Sequence, residues 1–153
     1  MSLHTTLNRL KLAGACGQTV GSGEGYDKLR VRLGKGWKKD SPIDLLTILE
    51  SNGLDDTHWC LQATQEDSST VVRLLVADYL EHLCLALVPD DSKALLSEGV
   101  ALLRDPAVTD AALLAYGDKA REAAGAAARE AAGAAERMWQ TQRLREYLAK
   151  VTP

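Results

Sequence analysis

The chain of 153 residues has no phenylalanine, and aromatic residues make up only 5% of it. Its core must therefore be assembled from Leu, Val and Ala, and Leu and Ala are strong helix formers. Runs of β-branched residues with alternating polarity, bounded by turns, are also missing, so no sheet is expected. No stretch approaches the roughly 20 apolar residues that a membrane-spanning helix needs. The start, Met1-Ser2-Leu3-His4, lacks the basic segment and apolar run of a secretory signal. The three cysteines, Cys16, Cys60 and Cys84, are odd in number and far apart, which does not suit a disulfide framework. Buried thiols in a reducing, cytoplasmic setting fit them better. A net charge of -3 excludes the strong basic excess of a general nucleic-acid binder. It is also too mild for an acidic mimic of nucleic acid.

The residues that carry chemistry do not assemble into a known pattern. His58-Trp59-Cys60 and His82-Leu83-Cys84 each put His and Cys two residues apart. On a helix that separation turns about 200°, so neither pair can chelate one ion. Asp78 and His82 share a face at i, i+4, but two ligands without a third make no metal site. Gly17, Gly21, Gly23 and Gly25 cluster as in a phosphate loop. Yet no strand precedes them, and Tyr26-Asp27 stands where a Lys-Ser/Thr pair would be needed. No catalytic, cofactor-binding or metal-binding residue is assigned, and no cofactor is expected.

Helical signals account for most of the chain, which is expected to be a single all-α domain of residues 1–153. Leu3, Leu7 and Leu10 fall at helical spacing, predicting a helix over residues 2–12. Glycines at 14, 17, 21, 23 and 25 mark a flexible connection around 14–25, and Tyr26, Leu29 and Leu33 predict a short helix after it. Ser41-Pro42-Ile43-Asp44 reads as a helix start, with Ser41 as cap and Pro42 in the first turn. That helix should end at Asn52-Gly53. Further helices are predicted over Leu54–Ala63, from Val71 to Val88, and from about Asp91 to Leu103, with a break at Asp105-Pro106. The Val71–Val88 segment carries too wide an apolar arc for one amphipathic stripe, so it should be the most buried element. Trp59 and Trp139 sit in helical patterns and are read as core.

From Thr109 to Lys150 there is no proline, and a long alanine-rich helix is predicted. The octet Ala120–Ala127 is repeated residue for residue in Ala128–Ala135. Eight residues advance about 80° beyond two full turns. Gly117, Gly125 and Gly133 therefore wind around the helix and form no straight seam. Tandem duplication is the plain origin; close packing of another helix, or of a second copy of the chain, is the functional one.

One stretch is locally positive. Lys28, Arg30, Arg32, Lys35, Lys38 and Lys39 occur with no acidic residue between them, interleaved with Trp37 and preceded by Tyr26. A solvated face would look the same, but the cluster also suits contact with an acidic partner or a nucleic-acid backbone. These six cations and Trp37 are the candidate partner-contact residues.

Three segments, in order, resemble a known group. They are Ser51-Asn52-Gly53-Leu54-Asp55-Asp56-Thr57-His58-Trp59, then Val76-Ala77-Asp78-Tyr79-Leu80-Glu81-His82, then Glu136-Arg137-Met138-Trp139-Gln140-Thr141-Gln142-Arg143-Leu144 behind an alanine-rich tract. Over roughly residues 13–149 the chain is similar to the alanine-rich immunity proteins of bacteria and phages. The tract here holds only Ala, Gly, Arg and Glu, without the tryptophans common in that group. The resemblance implies an all-helical, phage- or prophage-borne protein that neutralises a toxin or defence component by binding it, without catalysis. A protein partner is thus expected, and no membrane or nucleic acid. A self-associating adaptor, dimerising through the alanine-rich helix, is the alternative.

Overall fold

A computed structural model describes residues 3–84, 90–109, 111–117 and 134–150. The fold is all-α: eight α-helices are found among these residues, with one two-stranded pairing. The elements in chain order are β1 (His4–Thr5), α1 (Leu7–Leu12), α2 (Gly25–Leu33), β2 (Ile43–Asp44), α3 (Leu45–Asn52) and α4 (Leu54–Cys60). A 3-10 turn, Leu61–Ala63, extends α4. Then come α5 (Ser69–Tyr79), continued as π-helix over Leu80–Cys84, α6 (Asp90–Arg104), α7 (111–117) and α8 (Ala134–Lys150). They fall into two compact units, Met1–Ser68 with Thr141–Pro153, and Ser69–Gln140.

In the first unit α2 packs on α1 and α3, and α3 packs on α4. Leu10, Leu29, Ile43, Leu45, Ile48 and Leu144 are fully buried and supply its apolar core. The helix predicted over residues 2–12 is shorter than its leucine spacing suggests. Thr6 caps α1 by accepting from the Arg9 N–H, and the residues before it form β1 instead. There His4 pairs with Asp44 and Thr5 with Ile43, antiparallel. The small sheet was not expected, and it corrects the start of α3 as well. Ile43 and Asp44 are strand, and Asp44, not Ser41, caps α3 by accepting from the Leu46 N–H at 2.8 Å. An acidic cap beside the positive end of a helix serves both its unpaired amides and its dipole.

The N-terminal segment is stitched on its other side to the turn after α4. The buried Thr5 hydroxyl donates to the Ala63 carbonyl at 2.7 Å, and the Gln65 N–H donates to the His4 carbonyl at 2.7 Å. Both His4 nitrogens, backbone and ring Nδ1, meet the Glu66 carboxylate. Desolvation is the largest single influence on that carboxyl and pushes its pKa up. The His4 hydrogen bonds outweigh it and leave Glu66 below the ordinary 4.5.

In the second unit α5 packs on α6. Val71, Leu75 and Ala77 are buried, whereas Val72 and Val76 are exposed. The wide apolar arc thus does not make this the most buried element along its whole length, and residues 85–89 lie outside the described residues. Asp78 is buried and binds Arg104, whose guanidinium also meets Glu81. Gly99 is a packing requirement, since a Cβ there would strike the Tyr116 ring. The Tyr116 hydroxyl donates to the Leu95 carbonyl. Trp139 is half-buried and stacks face to face on His82, with ring centroids 3.8 Å apart and planes 10° from parallel. The alanine octets of residues 120–135 lie almost wholly outside the described residues, and with them the long-helix and dimerisation expectations. No described helix is long and apolar enough to cross a membrane.

Leu45→Ala should cost about 2–5 kcal/mol, because it removes a fully buried side chain and leaves a cavity. Leu12→Ala, at a residue 88% exposed, should stay within about 0.5 kcal/mol of the parent. Urea unfolding followed by circular dichroism compares the two.

Candidate functional site

The glycine-rich segment between α1 and α2 is built around one side chain. Asp27, in the first turn of α2, is 2% exposed. Its Oδ2 accepts the backbone N–H groups of Gly21 at 3.0 Å and Gly23 at 3.1 Å. Its Oδ1 accepts from Arg30 at 3.0 Å. The loop returns the favour. The Cys16 carbonyl accepts from the Tyr26 N–H, and the carbonyls of Gly17 and Glu24 accept from the Asp27 N–H. The first amides of α2, unpaired in an isolated helix, are thereby satisfied by the loop itself. The segment expected as a flexible connection is folded onto α2. Two of its glycines are steric necessities: a Cβ on Gly17 would strike the Glu24 carbonyl, and one on Gly25 would strike Cys16.

Donation from the Gly23 N–H, then the Arg30 hydrogen bond, holds the Asp27 carboxyl below the ordinary 3.8. In α4, burial lowers His58 below 6.5, against an opposing pull from Asp55.

The helix so anchored carries half of the positive cluster. Lys28, Arg30 and Arg32 lie on α2, while Lys35, Trp37, Lys38 and Lys39 follow in the connection to β2. All are exposed except Arg30, which is half-buried against Asp27. Among the described residues no carboxylate pairs with Lys28, Arg32, Lys35, Lys38 or Lys39. Arg30, Lys35, Trp37 and Lys39 come together along a groove of about 340 Å³, whose remaining wall includes Leu7, Tyr26 and Val31. Lys28, Arg32 and Lys38 do not line it. Trp37 is 38% exposed and Val31 70%, so apolar and aromatic surface sits open among unpaired cations.

Tyr26 also lines a second concavity, of about 310 Å³. Leu10, Leu29 and Ile48 form its apolar wall, together with Trp59, which is half-buried and not the core residue its pattern suggests. Asn52 frames it. Its amide nitrogen donates to the Gly25 carbonyl at 2.7 Å and to Asp56 Oδ2 at 2.8 Å, and its oxygen accepts from Ser51. One side chain thus ties the start of α2 to the end of α3 and the start of α4. Cys16 and Cys60 both line this cavity. Cys16 is exposed and Cys60 is buried. Burial, helped by the nearby Asp56 and Cys16, pushes the Cys60 thiol up to about 12, where it stays protonated. The Cys84 side chain lies outside what is described. Among the described residues no group of three or more His, Cys, Asp or Glu is placed to hold a metal ion.

Neither concavity was foreseen as such. Tyr26 and Trp37 were visible beside the cations, but Leu7, which comes from a distant part of the chain, was not. No family profile, curated protein or solved structure matches this chain.

Acid should weaken the fold in two stages. His58 is harder to protonate folded than unfolded, so stability falls as pH drops below about 6.5. Asp27, with its folded pKa depressed, contributes stability that is complete above 3.8 and lost as pH falls through its folded value. Urea midpoints measured across pH should show both stages, with the upper missing in His58→Gln and the lower reduced in Asp27→Asn. In Asp27→Asn the Gly21 and Gly23 amides should also exchange with solvent faster at neutral pH.

Proposed function

We propose that the chain is a non-catalytic binding protein that neutralises a toxin or a bacterial defence component by direct contact through the cationic groove of its first unit. The observation that carries this reading is the combination in one groove of Trp37, Tyr26 and Val31 with Arg30, Lys35 and Lys39. Tryptophan, tyrosine and arginine dominate the energetics of protein interfaces: the two aromatics cover much area with few torsions to freeze, and arginine adds a planar fork of donors. Unpaired lysines around them attract an acidic partner and speed its approach. The partner's contact face would accordingly be acidic with an apolar centre.

The resemblance to immunity proteins supplies the class of partner, and it fits a bacterial cell carrying phage or prophage genes. The chemistry of the first unit agrees with a binder. Its buried thiol is held protonated, its best-formed carboxylate is spent on backbone amides, and its clustered cations face outward. A cytoplasmic site of action follows from the same class of partner.

The test is affinity capture from lysate of the native bacterial host, comparing the parent chain with K35E/K38E/K39E and with Trp37→Ala. A specific partner should be retained by the parent and lost by both variants, each change weakening binding by at least about tenfold. It should also elute with salt, since exposed charges are screened beyond about 10 Å at 0.1 M. Retention of the same protein by parent and variants alike would overturn the assignment of this face.

A further inference from the structure

We infer that the 310 Å³ cavity between α1, α2 and α4 binds a small organic ammonium, an apolar body carrying one positive charge. It lies in the first unit, shares Tyr26 with the cationic groove, and has the opposite electrical character.

Its size is at the lower end of the roughly 300–1,000 Å³ common for ligand sites. The floor is aliphatic, from Leu10, Leu29 and Ile48, all of them buried. An apolar body of a ring's size would gain from covering it. The charged residues on its wall are Asp55 and Asp56, and no Lys, Arg or His lines it. Both carboxylates sit in the first turn of α4, where they answer a helix end worth about half a positive charge. Asp56 alone brings a full negative charge to the rim, more than that partial charge offsets. The one side-chain amide present has no hydrogen to spare, because Asn52 donates to Gly25 and Asp56. Asp56 takes that bond on Oδ2, and its Oδ1 accepts none among the described residues. The rim therefore offers acceptors and negative charge, with the Tyr26 and Trp59 rings alongside for cation–π contact. An anion would meet repulsion from both carboxylates. A neutral molecule of the same shape would leave the Asp56 charge unanswered.

The probe is 2-phenylethylammonium, titrated into the full chain at neutral pH by calorimetry, with phenylacetate and 2-phenylethanol as the anionic and neutral counterparts. Alkylation of Cys16 by iodoacetamide, read by peptide mass mapping, gives a second readout, since this exposed thiol lines the cavity. The ammonium should bind with Kd of about 0.1–1 mM and slow Cys16 alkylation in proportion to occupancy. The alcohol should bind about tenfold more weakly and phenylacetate not at all. D55N/D56N should lose about tenfold in ammonium affinity while keeping its affinity for the alcohol. Should that double variant fail to fold by circular dichroism, Asp56→Asn alone should still lose about threefold. The proposal is overturned by absent heat and absent protection at several times the expected Kd. Equal binding of ammonium and alcohol, or unchanged ammonium affinity in the carboxamide variants, overturns it equally.

Discussion

A buried carboxylate must be paid for with hydrogen bonds, and Asp27 obtains them from the loop that precedes its own helix. The exchange is mutual. Loop amides bond to a helix side chain, and helix amides bond to loop carbonyls. Neither half is satisfied without the other, so the glycine segment and α2 form together or not at all. Much of the first unit's surface follows from that. Lys28, Arg30 and Arg32 on α2, the Tyr26 ring and the position of Cys16 all depend on where the helix starts.

Two concavities of opposite character result, both lined by Tyr26. The net charge of -3 conceals this segregation, because the acids of α4 and the cations after α2 nearly cancel in the sum. A protein with its charges mixed evenly would steer nothing. Separated within one small unit, they give each face its own preference in ligand sign. The Asn52 amide fixes the start of α2 against the start of α4, beside the acidic cavity that it lines.

Local signals proved sufficient for helices whose ends are set by local chemistry. The Asn52-Gly53 stop, the short helix after Gly25, the break at Asp105-Pro106 and, within a residue, the helix predicted to end at Leu103 and found to end at Arg104 were all legible, because capping and proline geometry act over a few residues. Elements set by distant partners were not. Ile43-Asp44 becomes strand only because His4-Thr5 lies beside it, forty residues away in the chain, and that moves the cap from Ser41 to Asp44. Glycine spacing suggested a loose linker, and only the fold shows Asp27 turned back to hold it. The cations of the groove were evident from their clustering, but Leu7 on its wall and the acidic cavity beyond Tyr26 depend on packing among α1, α2, α3 and α4. The same holds for Cys16 and Cys60, whose nearness no spacing announces.

The three tryptophans occupy three unlike surroundings. Trp37 stands open on the cationic groove, Trp59 lines the acidic cavity, and Trp139 lies in the second unit against the His82 ring. Their indoles consequently differ in solvent contact, in local field and in the groups able to quench them. The molecule carries one native chromophore for each of its notable regions, so its emission is a composite whose parts respond to different events. Wetting of the groove, filling of the cavity and loosening of the second unit would each alter a separate component of the light it gives back.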